Sequence, residues 1–203
     1  MKITSKLIGF VRWTSVICLA VFMASQSGHA EGGANTLAAR VASLRLGMEG
    51  YTIGSELSAA QKELAEKNRV ENAYKGTVKF RDSDLFVVVA ESDNTVLALY
   101  RSQENAGFDQ ARMMIAGLMG MFGEPTTMAH DKQIYWAFDK LGKIPEERYH
   151  QLRESKEPIE ILATVKFNSS FPITDEEQSL GEAETVYFMI SSEPLLKEFI
   201  VKQ

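Results

Sequence analysis

Apolar and polar residues recur along this chain with two periods, which predict helices and strands. Helical spacing covers 37–44, 58–68, 109–122 and 145–154, and a short helix is expected after Pro194. Strand patterns occupy 77–80, 85–89, 95–100, 133–138, 159–167 and 185–190. This order predicts an α+β domain with an antiparallel sheet of about six strands packed by two or three helices. A degenerate duplication of helix plus strands, with halves 44–105 and 106–203, is a further possibility.

The first half contains a clear helix start and a β-meander. Ser58 and Gln61 have the spacing of a capping box, and the residues expected on the buried face of that helix are Leu57, Ala60 and Leu64. Three strands then follow, separated by two short polar turns. The strand at 85–89 is apolar at every position, so we expect it to be covered on both faces.

The segment 109–122 predicts a helix that is apolar on every side. Asp109 is the expected N-cap, and Gly123 followed by Pro125 ends the helix. One side carries the stripe Ile115, Leu118, Met119 and Phe122, and the other side carries Met113, Met114, Gly117 and Met121. Simple burial is the favoured interpretation, with Gly117, Gly120 and Gly123 allowing close packing on a sheet. The alternative is a helix that shows one face to a partner.

Two later strands alternate with period two. Ile134, Trp136 and Phe138 are predicted to enter the core, while Tyr135 lies on the opposite face. In 159–167 the residues expected to share one face are Ile159, Ile161, Ala163, Val165 and Phe167. A polar, acidic loop is expected at 168–183.

The first thirty residues predict a cleaved secretory signal peptide. Lys2, Lys6 and Arg12 precede the apolar run 13–24, and the small residues up to Ala30 form a cleavage site. The apolar run is shorter than the roughly 20 residues that a membrane-spanning helix needs. We therefore expect one α+β domain over 31–203, exported to the periplasm, with no membrane span after cleavage.

Loss of the signal changes the charge and removes the thiol. The net charge of the chain is −5, and removing the three cations of the signal takes it to −8. Such a surface repels nucleic acid and anionic headgroups, so neither is expected as a partner. Cys18 leaves with the signal, so the mature chain has no disulfide and depends on its core.

No pattern of catalytic, cofactor-binding or metal-ligating residues stands out. His130 lies in a polar loop and His150 on a charged helix, and both are predicted to be exposed. No Gly-x-Ser-x-Gly motif presents a nucleophile, and two distant histidines without cysteine do not make a zinc site. We predict a protein that is not an enzyme and needs no cofactor.

Several short motifs resemble those of small exported proteins of the β-lactamase-inhibitor-like and SmpA/OmlA groups. They are Leu46-Gly47-Met48 before a helix, Phe122-Gly123-Glu124-Pro125 after another, and the aromatic strand at Tyr135-Trp136. The resemblance covers roughly positions 44 to 167 and implies a helix-on-sheet fold that acts mainly by binding other proteins. The chain departs from the pattern in the insertion 49–57 and in lacking a lipid-bearing cysteine.

Two hypotheses for function follow. The first is an exported protein that binds a partner protein in the cell envelope. Its candidate contact residues are Tyr135, Tyr187, Met113, Met114 and Met121. The second is a binder of a small apolar ligand or lipid in a cavity between helix and sheet, which Met113, Met114, Met121 and Phe188 would line.

Overall fold

A computed structural model of the chain describes residues 36–71, 73–156, 158–174 and 185–201. The predicted signal peptide with its cleavage site at Ala30, and most of the acidic loop, lie outside the described residues. The segment Glu31–Gln203 forms one compact unit.

The described residues form five helices and ten strands. The helices are α1 (Leu37–Ala42), α2 (Ala59–Lys67), α3 (Phe108–Phe122), α4 (Glu146–Ser155) and α5 (Glu193–Val201). The strands are β1 (Gly47–Met48), β2 (Tyr51–Thr52), β3 (Thr77–Asp82), β4 (Leu85–Ala90), β5 (Val96–Glu104), β6 (Thr127–Ala129), β7 (Gln133–Asp139), β8 (Gly142–Lys143), β9 (Ala163–Ser169) and β10 (Thr185–Ser191).

The predicted α+β class is confirmed, although the main sheet has eight strands instead of about six. Seven strands follow the antiparallel order β3-β4-β5-β10-β9-β7-β6, and β8 pairs with β7. In this sheet the sequence pattern missed the short strands β6 and β8, and it also missed β1 and β2. A separate hairpin, β1-β2, precedes α2.

The strand order is symmetric about the junction of β5 and β10. Helix α2 is followed by β3, β4 and β5, and α3 is followed by β7, β9 and β10. In each half the last strand lies at the centre, where β5 and β10 pair antiparallel with Tyr100 opposite Met189. The three long strands of each half therefore have the same order about the centre, but the second half also contains β6, β8 and α4, and the duplication stays a hypothesis.

One face of the sheet, here called the inner face, carries the core. Phe80, Trp136, Val165 and Ile190 are completely buried there. Helix α3 packs on this face, with the Phe122 ring 6.4 Å from the rings of both Trp136 and Phe138. The predicted core set Ile134, Trp136 and Phe138 is confirmed, since none of the three is more than 7% exposed.

The start of α3 differs from the prediction. The N-cap is Gly107, whose N–H donates to Gln110 Oε1 at 3.2 Å, and Asp109 lies in the first turn. The end is as predicted: Gly123 has a φ of +72° and its N–H donates to Met119 O. The left-handed backbone at this position favours glycine.

The predicted burial of α3 on all sides is wrong. Ala111 and Leu118 are buried, but Met113 is 68% exposed and Met121 is 55% exposed. Close packing does not explain the interior glycines either, because a Cβ added to Gly117 or Gly120 would meet no atom within 4 Å. The helix buries one stripe and presents an apolar face to solvent.

Two other expectations need correction. In α2, Ser58 caps the helix with Gln61 as predicted, but Ala65 is buried while Ala60 is exposed. Strand β4 is buried on its inner face only, since Phe86 and Val88 on the other face are half-buried. The long basic side chains of β3 lie beside that other face, where the prediction expected a second covering layer.

Strand β9 begins four residues later than predicted. Ile159 and Ile161 precede it and are half-buried, whereas Leu162 is 1% exposed and its N–H donates to Phe138 O. From Ala163 the predicted alternation is confirmed, with Val165 and Phe167 in the core. The irregular backbone before the strand turns Leu162 inward.

Candidate functional site

The side of the sheet opposite the core, here called the outer face, is partly open to solvent, although its row Ala98, Ser191, Thr164 and Ala137 is buried. The pairing registers place on it Lys79 and Arg81 of β3, Phe86 of β4, Tyr100 and Ser102 of β5, Tyr187 and Met189 of β10, Lys166 and Asn168 of β9, and Tyr135 of β7. Tyr187 is 41% exposed, and most of its neighbours are half-buried. A continuous aromatic and basic surface thus crosses both halves.

An aromatic pair with two cations forms one end of the outer face. The rings of Phe86 and Tyr100 are stacked, with centroids 4.7 Å apart and planes at 8°. Arg81 lies 5.4 Å and Lys79 5.9 Å from the centroid of the Phe86 ring. Cation–π contacts of this kind hold a positive charge over an apolar surface.

The other end centres on Tyr135. Lys166 Nζ lies 5.4 Å from the centroid of its ring. Burial raises the pKa of Tyr135 to about 12, with smaller contributions from Tyr149 and Glu193. This hydroxyl therefore stays protonated through the physiological range and is available as a hydrogen-bond donor.

The cations of the outer face carry unbalanced charge. Among the residues that the structure describes, Lys79, Arg81 and Lys166 form no ion pair within 4 Å. The nearby Glu193 is paired mainly with Lys197, which lowers the pKa of Glu193 more than Lys166 does. The registers also place the exposed Glu104 on this face, so the three cations outnumber its carboxylate and the outer face is locally basic on a chain whose net charge is −5.

The outward face of α3 is a second apolar surface. It comprises Met113, Ala116, Gly117, Gly120 and Met121, all exposed. Beside it runs a groove of about 360 Å³ whose apolar lining includes Ile115, Met119, Met128, Ile134 and Ile173, with Arg112 and Glu124 also on its wall.

A charged cluster on the inner face joins the β1-β2 hairpin to the sheet. Arg101 pairs with Glu49 of the hairpin and, at 2.7 Å, with Asp84. Its guanidinium lies 5.8 Å from the Phe188 ring. Tyr51 donates to Asp82 at 2.8 Å, and burial together with that carboxylate raises the pKa of Tyr51. These contacts join the hairpin to the sheet, while Arg101 Nε is buried without a hydrogen-bond partner among the described residues.

A wide cleft of about 890 Å³ lies between α1, α5 and the turn after β4. Its charged lining residues are Glu56, Glu91, Asp93 and Glu198. Within the described ranges, no three or more His, Cys, Asp or Glu residues are grouped so that they could hold a metal ion. His130 and His150 are both exposed, as predicted.

The structure separates the residues that the sequence grouped as one contact surface. Tyr135 and Tyr187 lie on the outer face, Met113 and Met121 lie on α3, and Met114 is partly buried against the core. Phe86 and Tyr100 were missed, although period-two alternation in their strands could have shown that both point away from the core. Their pairing across β4 and β5 depends on register, which no local pattern contains.

No helix in the described part of the chain is long and apolar enough to cross a membrane. Comparison with known proteins finds no matching family model, and no curated protein or solved structure with significant similarity to this chain. The resemblance to the β-lactamase-inhibitor-like and SmpA/OmlA groups therefore stays a prediction.

Proposed function

We propose that this protein is exported to the periplasm and binds a partner protein there through the outer face of its sheet. The observation that carries the proposal is the Phe86–Tyr100 stack with Arg81 and Lys79 beside it. Aromatic and arginine side chains supply most of the binding energy in protein interfaces. Here they are combined on a solvent-accessible sheet face.

The charge of the outer face indicates the kind of partner. Three cations without a partnering carboxylate favour a protein surface that carries Asp or Glu next to apolar side chains. Complementary charge of this kind speeds association and fixes the register of binding. The negative charge of the chain as a whole disfavours nucleic acid and anionic lipid as competitors.

The alternative, an apolar ligand or lipid held between helix and sheet, has less support. Three of the four residues expected to line such a cavity do not lie in one. Met113 and Met121 are exposed on the outward face of α3, and Phe188 is 2% exposed within the packed core.

Site-specific photo-crosslinking in the periplasm tests the proposal. A photoreactive amino acid at Tyr187 should form one defined cross-linked product, and the same group at Leu141, which is 76% exposed on the β7-β8 turn, should not. Adding Arg81→Glu and Lys79→Glu should reduce the Tyr187 product about tenfold or more, since charge complementarity is reversed. Equal products from both positions, or recovery of lipid without protein, would refute it.

A further inference from the structure

Helix α3 presents an apolar surface that no other described residue covers. Met113 is 68% and Met121 55% exposed, which places them among the most exposed large apolar side chains described. Between them, Gly117 and Gly120 have no atom within 4 Å of an added Cβ. Two large side chains therefore flank a flat, open strip of helix backbone.

The spacing of this strip suits a second helix. Met113, Gly117 and Gly120 follow one another at four and three residues, which keeps them on one side of a helix. Packed helices lie 8–10 Å apart depending on the side chains at the contact, so glycine permits the closest approach. Glycine also lowers helix stability relative to alanine, so the open strip has a cost that packing against the described residues does not offset.

Charge at the two ends of the groove indicates which helix fits. Arg112 near the start of α3 and Glu124 just after its end both line the groove. Neither forms an ion pair within 4 Å with any described residue. A partner helix must therefore bring an acid to one end and a base to the other.

A second copy of α3 meets this requirement only when it runs antiparallel. A two-fold axis between Gly117 and Gly120 sets each glycine against the other glycine of the second copy. It also brings Met121 against Ala116 of the second copy, so that a large side chain faces a small one. Arg112 then lies within a turn of the second copy's Glu124, whereas a parallel pair would set like charges together.

We infer that the outward face of α3 is the interface of a symmetric homodimer, built by antiparallel packing of α3 on α3. Two-fold interfaces use the same patch on both subunits, so that patch must be complementary to itself in shape and charge. The face described here has both properties. The inference concerns a different surface from the outer face of the sheet and does not depend on the proposed function.

Sedimentation equilibrium on the protein as the cell produces it measures the dimer directly. We expect a concentration-dependent dimer whose dissociation constant rises about tenfold or more in Met121→Lys, because a charge then lies in the apolar contact with Ala116 of the second copy. The matched control, Leu141→Lys, places the same charge at another exposed apolar residue and should leave the constant within about twofold. Since both side chains are exposed, circular dichroism should show the same fold in both variants.

A charge-exchange cycle tests the antiparallel arrangement. Arg112→Glu and Glu124→Arg should each weaken the dimer, and the double variant should recover most of the lost affinity because every pair is restored with reversed sign. A monomer at all concentrations would overturn the inference, and so would a dimer insensitive to Met121→Lys. A dimer that the double variant fails to restore would overturn the antiparallel arrangement.

Discussion

Helices α2 and α3 occupy corresponding places in the two halves but differ in almost every surface property. Helix α2 has a capping box at Ser58, exposed charges along its length and little apolar surface in solvent. Helix α3 is capped by Gly107 without a side chain, contains two interior glycines and exposes methionine. Topology is shared between the halves, and surface chemistry is not.

The difference shows what each half contributes. Helix α2, in the first half, packs its apolar side against its own chain and turns its charged side to solvent, as an amphipathic surface helix does. The helix of the second half leaves apolar surface in water, which soluble proteins keep for contacts with something else. Substitutions in the two halves can alter this contrast between α2 and α3, and their expected effects range from several kcal/mol to a few tenths.

Removing the core anchor under α3 should cause the largest loss of stability. Trp136 is completely buried and its Nε1–H donates to Gly123 O at 2.8 Å. Trp136→Ala should lower the free energy of unfolding by about 3–5 kcal/mol, and Phe80→Ala, at the buried position of the other half, by a similar amount. Urea unfolding followed by circular dichroism measures both. Two separate unfolding transitions, of which each substitution shifts only one, would show that the halves unfold independently.

The interior glycines of α3 should be replaceable with a gain in stability. At dilutions where the protein is monomeric, Gly117→Ala and Gly120→Ala should each raise the free energy of unfolding by up to about 1 kcal/mol, since the added methyl group then meets no described atom within 4 Å. Gly123→Ala is the control and should lower it by about 1–2 kcal/mol, because φ there is +72°. Thermal unfolding of the three variants checks this. A loss in the first two would mean that the strip is already covered.

Exchanging the caps of α2 and α3 should have the smallest effect. Ser58→Ala should lower the free energy of unfolding by about 1 kcal/mol, because the Ser58 Oγ accepts from Gln61 N. Gly107→Ser should raise it by a few tenths, since serine supplies the acceptor that glycine lacks. Chemical denaturation resolves the first change readily. No change on Ser58→Ala would mean that tertiary contacts alone hold the start of α2.

Local signals in the sequence predicted the elements well where they are strong. The capping box at Ser58 and the stop at Gly123 place helix ends, and alternation at Ile134, Trp136 and Phe138 places the core side of β7. The short strands β6 and β8 were missed because two or three residues carry no measurable period. The irregular turn that buries Leu162 was missed for the same reason.

The apolar composition of α3 led to the incorrect prediction that this helix is buried. Methionine on all sides of a helix favours burial, and only the number of elements packed around the helix shows that one side faces solvent. The candidate surfaces likewise could not be predicted from local patterns in the sequence. The stacking of Phe86 on Tyr100 depends on strand register, and the separation of Met113 from Tyr135 depends on which layer each element joins.

The amino-acid sequence alone determined the class of fold, the start of α2, the end of α3 and the core-facing side of most strands, because these follow from spacing and backbone preference within a few residues. The tertiary structure alone decided which apolar residues stay in water. Burial is a property of what packs against a side chain, and those neighbours come from distant parts of the chain. Met113 and Leu118 therefore look equally apolar in sequence, and only the fold buries one and exposes the other.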